Sequence, residues 1–136
     1  MNKTGYSGTP LAKKLGIKEG AKISLFNQPD YYFDLFKDFP TDVKIIKYSS
    51  RVDFIHYFTE QQKELIKDIN KLKNSIEQNG MIWISWPKKS SGVETDMNED
   101  VVRNLALKNG LVDIKVCAID EKWSGLKLVI PVKNRK

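Results

Sequence analysis

The chain has 136 residues, of which 40% are hydrophobic, 10% aromatic and 29% charged, and its formal net charge is +6. This length and composition predict a single domain over residues 1–136, with an N-terminal arm at 1–8 and a basic tail at 133–136. The single cysteine, Cys117, excludes an intrachain disulfide and a cysteine cluster for zinc, and we expect it in the core.

The longest apolar run is far shorter than the roughly 20 residues that cross a bilayer, and no signal-peptide segment follows the N-terminus. We therefore expect a cytoplasmic protein with no membrane partner. The positive charge permits binding to polyanions, although the lysines are spread along the chain. Nucleic acid is thus a partner that charge alone suggests.

Short helices alternate with strands in the first part of the chain. Thr9 as N-cap and Pro10 at the first helical position predict a helix that ends at Gly16. A second helix is expected to open at 27–30. The other features predicted here are strands at Lys22–Phe26, 43–46 and Val52–Phe58, and an apolar helix face made of Tyr31, Tyr32, Leu35 and Phe36.

A longer helix is predicted after the third strand. Thr59 and Gln62 form the pattern of a capping box, and apolar residues then recur at helical spacing as far as Gly80. The remaining predicted elements are a strand at 81–85, a helix capped by Asp96 or Asn98 that ends at Asn109-Gly110, and a closing hairpin of strands 111–119 and 126–132.

This alternation predicts a mostly parallel sheet with helices on both faces and an antiparallel last strand. Ligands of such sheets bind at the carboxyl ends of the parallel strands. The segments expected at that edge are 6–9, 27–30, Thr59, 86–95 and the hairpin turn 120–123. Their convergence is the main functional inference from the sequence.

The order of elements, with VDFIHYF at Val52–Phe58 and MIWISWP at 81–87, resembles the class I methyltransferase fold. The resemblance implies a truncated, Rossmann-like, three-layer α/β sheet with strand order 2-1-3-4-6-5. Methyltransferases of this class have a glycine-rich turn after strand one and a ribose-binding carboxylate after strand two. Here these positions read FNQPDYY and Lys47-Tyr48, so we expect no methyl-donor cofactor bound in the usual way.

Three segments look like an uncharacterised bacterial family of short proteins of unknown function. They are YSGTPLAKKLGIKEG at 6–20, WISWPKKSSGVETDMNEDVVR at 83–103 and GLVDIKVCAIDEKWSGLKLV at 110–129. This second resemblance implies no activity, substrate or catalytic residue.

The loop PKKSSG, directly after the fourth predicted strand, has the composition of an anion site. Lys88 and Lys89 supply ammonium groups, Ser90 and Ser91 supply hydroxyls, and Gly92 frees backbone amides. The spacing does not match a phosphate-binding Walker loop. A solvated loop without a ligand is the alternative.

Three residues from other segments are candidates for the same site. Trp86 and Trp123 are expected to wall it, and Thr9 to donate a hydrogen bond. The alternative for the two tryptophans is packing that closes the edge of the sheet.

His56, the only histidine, lies late in a predicted buried strand, where it is either a general base or a structurally satisfied side chain. The sequence identifies no partner for it. Asp96, Asp120 and Glu121 add carboxylates to the same edge, but each also suits a helix cap or a turn. We expect no metal site.

These patterns favour a non-catalytic domain that binds a small anionic molecule at the carboxyl edge. The alternatives are a nucleic-acid-binding protein and a methyltransferase-like enzyme with altered cofactor binding. A protein partner or a homo-oligomer at the aromatic edge also stays open.

Overall fold

The computed structural model describes residues 9–47 and 51–136. The predicted edge segment at 6–8 and Tyr48 therefore lie outside the described residues. The helices are α1 (Leu11–Leu15), α2 (Gln62–Lys73) and α3 (Glu99–Lys108), and the strands are β1 (Lys22–Phe26), β2 (Lys44–Ile45), β3 (Val52–Phe58), β4 (Ile76–Pro87), β5 (Val112–Ala118) and β6 (Trp123–Val129). Short 3₁₀ turns lie at Tyr32–Leu35, Lys89–Ser91 and Val132–Asn134.

The described strands form one sheet in the order β2-β1-β3-β4-β6-β5, which confirms the predicted order. Neighbours among β1 to β4 are parallel, and β6 runs antiparallel to both β4 and β5. The carboxyl ends of β1, β3 and β4 therefore share one edge with the start of β6. We call this the carboxyl edge.

Side chains alternate between two core layers on the two faces of the sheet. On β4, Ile82, Ile84 and Trp86 pack with α2 and α3, whereas Trp83 packs with α1 and the aromatic residues after β1. We call these the α2–α3 face and the α1 face. Cys117 is buried on the α1 face, as predicted.

The first helix begins one residue later than predicted. Pro10 has an extended backbone (φ −56°, ψ 143°) and is itself the N-cap residue, without a side-chain cap. Thr9 as N-cap was therefore wrong. The predicted stop is confirmed, because Gly16 adopts the left-handed conformation at φ 89°.

The helix predicted after β1 is wrong, because the segment forms a single 3₁₀ turn at Tyr32–Leu35. Tyr32 packs edge-on against Phe36 at 5.3 Å, and Phe36 against Phe39 at 5.0 Å. Tyr31, assigned to the apolar face, is 39% exposed. Packing of these aromatic rings on the sheet replaces a regular helix.

The helix α2 is shorter than predicted and begins differently. Gln61 is the N-cap residue rather than Thr59, and the helix ends at Lys73 rather than near Gly80. The residues from Ile76 onward extend β4 because they continue the parallel pairing with β3 across a register shift. The twelve-residue β4 is thus much longer than the strand expected at 81–85.

The C-terminal part follows the predicted order with altered bounds. Asn98 caps α3, and Gly110 is left-handed at φ 79° directly after its end. The strand β6 begins at Trp123, three residues before the predicted start. The tail is anchored, since Arg135 Nε donates to Ile130 O at 2.9 Å and Lys136 N to Gln78 Oε1 at 3.1 Å.

Replacing Asn98 by alanine should lower the free energy of unfolding by about 1 kcal/mol, because the Val101 N–H loses its side-chain acceptor at 2.9 Å. Asn104→Ala, exposed within the same helix, is the matched control and should be neutral or slightly stabilising. Urea denaturation measures both variants. Equal losses would contradict a capping role for Asn98.

Candidate functional site

The carboxyl edge brings the PKKSSG loop and the β5–β6 hairpin turn together. The Lys88 N–H donates to Lys122 O at 2.7 Å, and Pro87 lies opposite Trp123 in the β4–β6 ladder. Lys122 thereby joins Lys88 and Lys89 at this edge. The sequence analysis placed the hairpin turn 120–123 at this edge but did not name Lys122 as a site residue. The antiparallel pairing of β6 with β4 brings Lys122 beside the PKKSSG loop.

The PKKSSG loop has an ordered backbone of its own. Lys89–Ser91 forms a 3₁₀ turn, and Gly92 follows in the left-handed conformation at φ 77°. Ser91 Oγ donates to Lys88 O at 2.6 Å and accepts from Val93 N at 3.2 Å. The Ser91 hydroxyl therefore stabilises the loop, whereas Lys89 and Ser90 are exposed.

The far end of the loop is fixed to the start of α2. Thr95 Oγ1 donates to Glu60 O at 2.6 Å, and the Gln62 N–H donates to Asp96 Oδ1 at 2.8 Å. Asp96, predicted as a possible cap for α3, thus provides its carboxylate to the N-terminus of α2, where negative charge is favourable. Thr59 Oγ1 accepts from Gln61 N at 3.1 Å in the same region.

The two candidate tryptophans lie on opposite faces of the sheet. Trp86 is 6% exposed on the α2–α3 face, and Trp123 is 5% exposed on the α1 face. They do not face each other across one pocket, which corrects the expected arrangement, and each closes the end of its own core layer. The Lys122 Nζ lies 4.9 Å from the Trp123 ring centroid, a cation–π contact.

Thr9 is half-buried at the start of α1, which runs towards the amino ends of the strands. At the end of α1, Leu15 O accepts from Trp83 Nε1 at 2.8 Å, and Gly16 lies beside Met81. Among the described residues, Thr9 forms no hydrogen bond with the PKKSSG loop. The structure therefore does not connect Thr9 with the lysines.

The hairpin turn is organised by Asp120. Its Oδ1 accepts from Lys122 N at 2.8 Å and Trp123 N at 2.7 Å. Partial burial raises the pKa of Tyr31 most, and the hydrogen bond and charge of Asp120 raise it further, whereas the Trp123 side chain lowers it.

Asn27, left-handed at φ 58°, donates from Nδ2 to Phe58 O at 3.2 Å. The turn after β1 therefore reaches the edge too.

His56 lies inside the α1 face in a chain of hydrogen bonds. Its Nδ1 is 2.9 Å from the Tyr32 hydroxyl, and its Nε2 is 2.8 Å from Ser85 Oγ. His56 and Ser85 are fully buried, and Tyr32 is 1% exposed. Burial lowers the pKa of His56 to about 3, so the ring is neutral at ordinary pH.

This geometry favours the structurally satisfied histidine over the general base. Both ring nitrogens have partners, and the ring stacks on Phe58 at 4.2 Å. A substrate cannot reach a group enclosed in this way. Ser85 was missed as the partner because it lies 29 residues away and gave no local signal.

The described residues include no group of three or more histidine, cysteine, aspartate or glutamate side chains that could hold a metal ion. None of the described helices is long and apolar enough to cross a membrane. A cavity of about 270 Å³ lies at the opposite, amino edge of the sheet, with Lys18, Glu19, Asp53 and Asn79 in its lining. The sequence analysis did not identify this cavity.

A family model matches residues 12–132 of the chain. The chain belongs to the family described as "Protein of unknown function (DUF3052)". No curated protein matches the sequence significantly.

The fold is similar to that of solved methyltransferases. A SAM-dependent methyltransferase from Aquifex aeolicus has a TM-score of 0.59 at 16% identity, with 88% of this chain and 87% of that chain covered. A ribosomal protein L11 methylase from Lactobacillus delbrueckii subsp. bulgaricus has a TM-score of 0.57 at 10% identity, covering 87% and 73%. An O-methyltransferase family 2 protein from Planctomyces limnophilus has a TM-score of 0.61 at 6% identity, covering 82% and 50%. At these identities the likeness concerns the fold.

The neutral His56 predicts a specific pH dependence of stability. Its pKa is about 3 when folded and near 6.5 when unfolded, so below pH 6.5 the unfolded chain binds more protons. The free energy of unfolding should therefore decrease as the pH is lowered. This residue should contribute a loss of roughly 2–3 kcal/mol between about pH 7 and pH 4.5. His56→Gln removes this contribution, and urea denaturation of both proteins at the two pH values isolates it. Parallel pH curves would contradict a neutral buried His56.

Proposed function

We propose that this protein is a non-catalytic, methyltransferase-like domain that binds a small anionic ligand at the carboxyl edge of its sheet. The hydrogen bond from Lys88 N–H to Lys122 O carries the proposal, because it sets loops with three lysines side by side. The ammonium groups of Lys88, Lys89 and Lys122 would neutralise a phosphate or carboxylate. The Ser90 hydroxyl and the amides near Gly92 would donate hydrogen bonds.

The surroundings of the three lysines support an anion as the ligand. The nearby Asp120 carboxylate accepts two backbone N–H groups of its own turn, and Asp96 accepts from the start of α2. In α3, Arg103 pairs with Glu99, Asp100 and Asp113. Among the described residues, Lys88, Lys89 and Lys122 form no ion pair with a carboxylate.

The segment after β1 supports a role without the methyl donor. In the methyltransferase resemblance, a glycine-rich turn after strand one admits the cofactor. Here Tyr32 follows that turn, is buried, and packs edge-on against His56 at 5.4 Å and Phe58 at 5.8 Å. A cofactor at this position would have to displace a packed aromatic ring and break its hydrogen bond to His56.

An NMR titration with inorganic pyrophosphate and citrate tests the anion site. We expect saturable shifts of the amides at 88–92 and of Lys122. The double variant Lys88→Gln/Lys122→Gln should weaken binding at this edge by roughly tenfold or more, because charge-assisted hydrogen bonds are lost.

Lys108→Gln, exposed at the end of α3, is the matched control and should bind as the wild type does. Undiminished shifts at 88–92 in the double variant would overturn the proposal. Binding of a short oligonucleotide alone, weakening steeply with salt, would instead favour the nucleic-acid alternative.

The protein should not be stabilised by S-adenosylmethionine. A ligand at 100 times its dissociation constant raises the free energy of unfolding by roughly 2.7 kcal/mol, which a thermal-shift assay detects in a domain of this size. We expect an unchanged melting temperature. A reproducible increase, abolished by a bulky substitution at Asn27, would favour the enzyme alternative.

A further inference from the structure

A second group of lysines lies on the α1 face of the β5–β6 hairpin. Lys115 and Lys127 are directly opposite in the antiparallel ladder, so their side chains lie on the same face. Lys127 is also opposite Trp83 of β4. The indole N–H of Trp83 donates a hydrogen bond to Leu15 O, at the end of α1. The turn after α1 carries Lys18, which lines the amino-edge cavity together with Met81, two residues before Trp83 and on the same face.

The three ammonium groups repel one another. Burial, and then the positive charges of Lys115 and Lys18, lower the pKa of Lys127. Like charges directly opposite in an antiparallel pair are destabilising. Within residues 9–47 and 51–136, none of these three lysines forms an ion pair with a carboxylate. An anion placed among the three lysines would relieve the repulsion.

The main chain at two of the lysines is fixed before any ligand binds. Lys127 is half-buried in the strand, which restricts its stem. Lys18 lies in a turn closed by the hydrogen bond from Ala21 N to Lys18 O at 3.1 Å, between the left-handed Gly16 and Gly20. The restricted stem of Lys127 reduces the conformational entropy that binding would otherwise cost, whereas the Lys18 side chain is exposed.

We propose that Lys18, Lys115 and Lys127 form a second anion site, which binds the phosphate group of a ligand on the α1 face. Lys127 lies five residues after Lys122, or about 17 Å along the strand, so one small anion cannot contact both groups of lysines. The anion is not expected in the neighbouring amino-edge cavity, because the carboxylates of Glu19 and Asp53 line it and would repel an anion. The phosphate site therefore lies between Lys18 and Lys127, outside this cavity.

Titration with inorganic pyrophosphate, followed by NMR at residues 18, 115 and 127, tests this site. We expect saturable shifts that Lys127→Gln and Lys115→Gln each weaken by about tenfold. Without pyrophosphate, Lys115→Gln should raise the melting temperature by about 1–3 °C, because repulsion is removed. Lys108→Gln is the control for charge alone.

The two anion sites are separable in the same experiment. Lys88→Gln/Lys122→Gln should leave the shifts at residues 18, 115 and 127 unchanged, whether or not the carboxyl edge binds an anion. A short single-stranded oligonucleotide replaces pyrophosphate in a second arm, and tighter, salt-sensitive binding that still requires Lys127 would identify a nucleic-acid backbone as the phosphate source. No shifts at these residues with either probe, or shifts that survive Lys127→Gln, would overturn the proposal.

Discussion

The close approach of β6 to β4 is the constraint on which both lysine groups depend. Glycine at position 125 suits this approach, since a Cβ there would lie 3.0 Å from Trp83 Cε3 and 3.1 Å from Ile119 Cδ1, and these side chains would have to move. With β6 seated between β4 and β5, its first residues meet the loop after β4, and its later residues meet Lys115. Lys122 and Lys127 thus acquire their neighbours from one strand pairing.

The interior of the α1 face explains why the methyltransferase-like fold need not bring methyltransferase chemistry with it. The polar groups of His56, Tyr32 and Ser85 satisfy one another inside the layer, where unpaired groups would be costly. The same contacts hold the Tyr32 ring over the end of β3. The region after β1 is therefore filled by the chain's own aromatic side chain, and the exposed chemistry lies in the loops of the edge and on the hairpin.

The net charge of +6 is distributed unevenly, because several acidic side chains have structural partners other than the lysine ammonium groups. Several carboxylates have structural partners: Asp96 at α2, Asp120 in its turn, Asp113 with Arg103, and Asp68 with the Tyr57 hydroxyl at 2.7 Å. In the part of the chain that the structure describes, neither lysine group forms an ion pair with a carboxylate. Both proposed anion sites rest on this distribution of charges rather than on the total charge, since the lysines are spread along the sequence.

The sequence by itself determined the bounds of β3 and the stop at Gly16 and limited the cap of α3 to Asp96 or Asn98, because periodicity and helix-end chemistry are local. The strand order came from the resemblance to class I methyltransferases. The sequence also identified Lys88 and Lys89 through their position after a buried strand. Only the tertiary structure decided the 3₁₀ turn after β1, the opposite faces of the two tryptophans, the Ser85 partner of His56 and the contact of Lys122 with Lys88. Each of these depends on strand pairing or packing between distant residues, and such contacts leave no pattern in neighbouring positions of the chain.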